Sequence, residues 1–179
     1  MDVEVSAEAR DKRLNRRVAI TVVILSVATG LGNIKDGNIV QAMQAAQSQS
    51  VDRWNEYQAT RTKLRMTEIA ALELAATRTA PSTQLSRDAA RYRAEAPRLA
   101  AEAKAQSALY DALNVHDDQF DASEALIATA VSVAAVAALA ESGWLLAAAW
   151  LFGACGLFMA LCGFAGWPFH PDVLSQFLG

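Results

Sequence analysis

His116, Asp117 and Asp118, followed by Asp121 and Glu124, form the densest group of chemically able side chains in this sequence. On a helix Asp117, Asp121 and Glu124 fall at i, i+4 and i+7, which makes one acidic face. Carboxylates so placed could ligate a hard divalent cation through oxygen. They could also form a solvated face that caps a membrane helix and complements the positive end of its dipole, and this second use is the one expected. A second polar group is Gln41, Gln44, Gln47, Ser48 and Gln49. Gln41, Gln44 and Ser48 share a helical face, which would line a pore vestibule in a ring of subunits or hydrogen-bond between helices. No catalytic motif accompanies these groups: G-x-S-x-G, Walker A, H-E-x-x-H and C-x-x-C are all missing from the sequence. With two histidines and two cysteines, most metal and nucleophile templates cannot be assembled in one chain, so neither an enzyme nor a cofactor is expected.

Cys155 and Cys162 stand seven residues apart in the last apolar run. Helical rise separates them by about 10 Å, too far for an internal bridge. They read as small apolar packing residues, with an intersubunit disulfide as the alternative. The net charge of -3 gives no reason to expect nucleic acid as a partner.

The elements that must carry these residues follow from how apolar and charged residues segregate. Three runs contain no charge: Val18 to Ile34, Ala125 to Ala140, and Trp144 to Gly166. Between Asp36 and Glu124, by contrast, lie ten Lys/Arg and thirteen Asp/Glu. The first run is about 17 residues, near the lower limit for spanning a bilayer, and Lys35 can snorkel to extend it. Arg10, Lys12, Arg13, Arg16 and Arg17 precede it, a pattern shared by signal peptides and signal anchors. The run ends in Gly30-Leu31-Gly32-Asn33 rather than an A-x-A site, which favours an uncleaved anchor. The second and third runs are separated only by Glu141-Ser142-Gly143, so they form a tight helical hairpin. In lipid each must be helical to satisfy its own backbone. The basic cluster places the N-terminus in the cytoplasm and the middle segment outside. Because the three runs hold no charge, a proton-coupled pump is not expected.

The middle segment reads as two helical arms of about forty residues each. Thr79-Ala80-Pro81-Ser82-Thr83 interrupts them, since proline disfavours helix in the residue before it and Ser/Thr suit a cap. A kink is expected at Pro97. Equal arms rooted at one membrane predict an antiparallel stalk reaching about 60 Å. Its large apolar residues include Val51, Trp54, Tyr57, Leu64, Ile69 and Leu72 on the first arm. Leu85, Tyr92 and Leu99 recur at sevens on the second, but the next position in that series is Gln106. So thin a seam predicts packing against further copies of the chain. Ala149, Gly153, Gly156, Ala160 and Gly163 step by four and three along the last run, a stripe of small residues that permits close helix approach. That stripe could serve either self-association or the hairpin with the second membrane helix. Trp167 and Phe169 read as interfacial anchors, and His170 as structural.

The stretch Gln47-Ser48-Gln49-Ser50-Val51-Asp52-Arg53-Trp54-Asn55-Glu56-Tyr57-Gln58-Ala59 resembles the Q-S-Q-x-x-D-x-W-x-x-Y-Q-A signature of a bacterial membrane family, domain-of-unknown-function family 4337. The resemblance covers the whole layout and is specific around Gln47 to Ala59. It implies a bacterial inner-membrane location and no particular activity. The family's turn between the last two membrane helices is usually basic, whereas Glu141-Ser142-Gly143 stands here. Within the signature, Trp54 and Tyr57 are expected to form a packing knot, with Gln58 and Asp52 satisfying neighbours.

The expected fold is therefore all-α: three transmembrane helices and a long extramembrane antiparallel helical hairpin resembling a coiled coil. Its parts are a basic cytoplasmic N-terminus (1–17), transmembrane helix 1 (18–35), the hairpin (36–122, tip near 79–84), transmembrane helix 2 (123–141), a turn with transmembrane helix 3 (142–166) and an interfacial tail (167–179). The expected function is a non-enzymatic, self-associating scaffold or an accessory subunit of a larger membrane complex, with membrane lipid and copies of itself as partners. The alternative is a ring-forming channel lined by transmembrane helix 1 and its glutamine-rich extension.

Overall fold

The structure, a computed structural model, describes residues 2–169, with side chains described from Asp11 onward. The tail expected at 167–179 therefore lies outside the described residues beyond Phe169, His170 included. The described chain is all-helical: α1 (Asp2–Ala76), α2 (Thr83–Leu139) and α3 (Gly143–Ala165). Each of the three is long and apolar enough to cross a membrane. The basic leader belongs to α1 itself, and α2 continues through Pro97.

Both interhelical turns use the same device. Arg78 adopts the left-handed conformation at φ 57° and Glu141 at φ 48°. After α1, the Thr79 amide donates to the Leu74 carbonyl at 2.8 Å and the Arg78 amide to Ala75 at 3.0 Å. After α2, the Ser142 amide donates to Ala137 at 3.0 Å and Glu141 to Ala138 at 3.4 Å. These crossed bonds satisfy carbonyls that the helix end would otherwise leave orphaned. Ser82 then caps α2, its Oγ accepting from the Leu85 amide at 3.1 Å. α3 ends at Gly166, whose φ of 67° suits a residue without Cβ.

The chain divides into two compact units: α1 up to Gln41 with residues from Leu113 onward, and residues Ala42–Ala112. In the first unit the buried positions recur at sevens. They are Val18, Leu25 and Gly32 on α1, and Phe120, Ile127 and Ala134 with Ser123, Ala130 and Ala137 on α2. On α3 they are Leu146, Gly153 and Ala160 with Ala149, Gly156 and Gly163. The small-residue stripe of α3 is thus spent inside the chain. A Cβ on Gly153 would stand 3.2 Å from Leu25 Cδ2 and 3.6 Å from the Ala130 methyl. One on Gly156 would stand 2.7 Å from Ile127 Cγ1 and 3.1 Å from the Ser123 carbonyl oxygen. Trp150 Nε1 adds a polar tie by donating to Thr21 Oγ1 at 2.9 Å. The large side chains point the other way: Ile20, Val23, Ile24, Val27, Leu31 and Ile34 on α1 and Leu151, Leu161 and Phe164 on α3 are exposed, as lipid contact requires. Cys162 is buried and Cys155 exposed.

At the other end of this unit, Arg13 and Arg17 border a recess together with Glu141, Ser142 and Gly143. The short turn therefore shares an end with the basic leader, as three crossings require.

The second unit is an antiparallel pair. Ser50 Oγ donates to the Ala103 carbonyl at 3.2 Å and meets Ser107 Oγ at 2.9 Å. Arg53 pairs with Glu102 at 3.3 Å and Arg93 with Glu68 at 2.8 Å. These ion pairs are solvent-exposed and each contributes at most about 1 kcal/mol. The seam is thin: Met43, Ala46, Ala96, Leu99 and Ala103 are its buried apolar residues, joined by Ser50 and Thr60. Val51, Ile69 and Leu72, expected among the packing residues, are exposed instead, as are Met66 and Leu109. Alanines hold the helices close, and these larger side chains lie off the contact line.

Gly156→Ala tests the seam in the first unit. Overpacking against Ile127 and a backbone carbonyl costs about 1–3 kcal/mol. Gly30, where a Cβ meets nothing within 4 Å, serves as control: Gly30→Ala is expected to be neutral or slightly stabilising. Thermal unfolding of the two variants in detergent measures the difference.

Candidate functional site: the polar cluster at the outer helix ends

The seam ends in an aromatic key. Phe120 is 4% exposed. A Cβ on Gly163 would stand 2.7 Å from its ring, and one on Gly32 3.7 Å away. Its ring also meets Phe164 edge-on, centroids 5.2 Å apart, a geometry contributing about 0.5–1.5 kcal/mol beyond burial. Since α1 and α2 run antiparallel here, one further turn outward from Gly32 is Asp36, and one turn outward from Phe120 is Asp117. The two carboxyl groups face each other there across α1 and α2. Asp36 Oδ1 is buried and has no hydrogen-bond partner among the described residues.

Two carboxylates so close repel each other, and a proton held between them relieves that repulsion. The electrostatics agree. Burial, then the Asp36 and Asp121 charges, push the Asp117 carboxyl up to about 6. Burial also raises Asp36, opposed by Asp117 and reinforced by Asp121 and Glu124. Asp121 is raised by burial and by Asp118.

Gln119 organises the other side of the cluster. It is fully buried. Its Oε1 meets His116 Nδ1 at 3.0 Å, and its Nε2 donates to the Trp167 carbonyl at 2.8 Å and to that of Phe169. One side chain thus fastens the segment after α3 to α2. Asn114 Nδ2 donates to Asp118 Oδ2 at 3.3 Å.

Of the residues singled out by spacing, Asp117 turns toward Asp36 while Asp121 and Glu124 are exposed. Among the described residues no three His, Cys, Asp or Glu side chains are grouped so as to hold a metal. Gln41, Gln44 and Ser48 are all exposed, as their shared face requires. Trp54 and Tyr57 stack edge-on at 5.4 Å, both half-buried. Arg61 lies over the Tyr57 ring, 5.8 Å from its centroid. The Gln58 side chain is exposed, and its backbone carbonyl accepts from Thr62 Oγ1 at 2.9 Å. Asp36, Gln119 and the keying role of Phe120 were not among the expected site residues. Two signals pointed to them: Gly32 and Asp36 four apart on α1, and a lone amide on the apolar face of α2 beside Phe120.

Gln119→Leu preserves volume but leaves the Trp167 and Phe169 carbonyls without their donor. A loss of about 1–3 kcal/mol is expected, with faster proteolysis after α3. Limited proteolysis with mass mapping reads it, and an unchanged cleavage pattern would count against the tie.

No curated protein and no solved structure matches the chain. Residues 14–166, most of the sequence, match the family described as Domain of unknown function (DUF4337), and the chain belongs to that family.

Proposed function

We propose that this protein is a non-enzymatic, self-associating protein of the bacterial inner membrane, acting as a scaffold or as an accessory subunit of a larger membrane complex. One observation carries the reading. Val51, Met66, Ile69 and Leu72 are 52%, 64%, 55% and 71% exposed in the charged, water-facing unit. At 100° per residue they fall within an arc of roughly 120°, one face of α1 turned away from the α2 seam. Each such side chain contributes about 1.5–3 kcal/mol when fully buried. With a little over half of each still to bury, four on each of two copies contribute roughly 7–14 kcal/mol, of the same order as an association cost of about 4–15 kcal/mol. Coiled-coil-like packing of hairpins from separate copies would cover this face.

The recess that joins Arg13 and Arg17 to the 141–143 turn supports an orientation as well. Both lie at one end of the membrane unit, and the positive-inside tendency assigns that end to the cytoplasm. The Ala42–Ala112 unit then faces the periplasm or exterior.

A ring-forming channel is the second reading, supported by the outward row of Gln41, Gln44 and Ser48. The mass of the detergent-solubilised protein tests both. An oligomer is expected, reduced to monomer by Met66→Glu with Ile69→Glu. A monomeric wild-type chain would overturn both readings, and ion flux through oligomer-containing vesicles would favour the channel.

A further inference from the structure

We propose that Asp36 and Asp117 form a proton-operated latch, which pins α1 to α2 just beyond the membrane while the two share a proton and releases them when that proton leaves to water. The latch is independent of the oligomeric reading.

Three observations carry it. The first is the approach of two carboxyl groups from different helices, which repel as two charges and attract when they hold one proton between them. The second is Asp36 Oδ1, buried without a hydrogen-bond partner among the described residues, so that a full charge on Asp36 is poorly solvated there. The third is what surrounds the pair. Facing it from α2 are Asp118, Asp121 and Glu124, all acidic, while His116 on the same helix is turned to Gln119. From α1 the neighbouring charge is Lys35, whose side chain is exposed. α3 and the segment through Phe169 bring no charged residue. Deprotonation would therefore set two carboxylates against each other inside an acidic surround, and repulsion would drive α1 from α2 at this point.

The direction follows from linkage. The Asp117 carboxyl is raised from 3.8 to about 6, so the folded protein holds this proton more tightly than the unfolded chain does. The stabilisation builds as pH falls through about 6 and is lost as pH rises through it. The side chain is only half-buried, so solvent screening reduces the effect below the full shift. Roughly a tenfold change in local opening between pH 8 and pH 5 is expected.

Backbone hydrogen exchange on the full chain in phosphatidylcholine nanodiscs tests this, corrected for the intrinsic pH dependence of exchange. In the wild type, amides at 33–40 and 113–121 should be about tenfold better protected at pH 5 than at pH 8, relative to the rest of the helices. Asp117→Asn supplies an amide donor to Asp36 without a titrating proton, so protection should be high at both pH values. Asp36→Asn should behave alike and serves if the first variant does not fold. Protection in the wild type that does not change with pH, or a wild-type profile retained in a folded Asn variant, would overturn the latch. So would full protection restored at pH 8 by magnesium or calcium alone, because the pair would then be a cation site.

Discussion

Direct contact between helix backbones is the constraint on which the membrane part of this chain depends. In lipid, hiding an apolar side chain gains nothing, because the surrounding acyl chains are equally apolar. What remains is dispersion between closely fitted surfaces, which falls off within a fraction of an ångström of gap. Gly156 meets Ile127 and the Ser123 carbonyl at distances that leave no space for a further methyl, and at Gly153 a methyl would press on the end of Leu25. The sevenfold recurrence of buried positions on all three helices follows, because only a repeat near 3.5 residues keeps one narrow face turned to its neighbours. Spending the stripe of α3 in this way leaves it unavailable for a second copy.

That close fit also sets register, and register decides what stands at the outer helix ends. Phe120 can sit only where glycine opens room on α3, at Gly163, and it comes into contact range of Gly32 on α1. Once it is seated, Asp36 and Asp117 have no freedom to miss each other. A carboxyl pair at the membrane boundary is costly as two charges, so packing inside the lipid raises the pair's affinity for a proton outside it. Gln119 belongs to the same logic: an amide at that depth must be satisfied, and the Trp167 and Phe169 carbonyls do so while holding the chain after α3 in place.

The architecture was legible because it follows from one-dimensional signals. Charge-free runs mark the membrane helices, Pro81 with its Ser/Thr neighbours marks the break, and three polar residues force the second turn. The stripe of α3 was visible too, but not its partner, since spacing shows a face without showing what lies on it. Asp36 escaped notice because its meaning is a contact with a residue 81 positions away, created by register rather than by local spacing. The acidic run at 117–124 reads as one solvated face for the converse reason. Regular spacing put Asp117, Asp121 and Glu124 on one face, and the contact with Asp36 drew only the first of them inward. Val51, Ile69 and Leu72 stand out in the sequence as large apolar residues of the first arm, but their hydrophobicity does not show that Ala46, Ser50 and Ala103 take the contact line and leave them exposed.

Both units thus leave a row of large apolar side chains turned out from seams that mix small residues with a few large ones such as Leu25, Leu99 and Ile127. In the membrane unit that pattern is complete, because lipid covers Ile20, Val23 and Leu161. In residues 42–112 the same arrangement stands in water, where Val51, Met66, Ile69 and Leu72 keep an apolar face open. A soluble hairpin built for itself would place those side chains in its seam, as the hydrophobic effect rewards. An alanine seam with the bulk outside instead gives up stability within one chain and gains it only when another surface arrives. The unit is therefore better suited to being covered than to standing alone, and the proposed self-association would rest on how its residues are distributed rather than on how many are apolar.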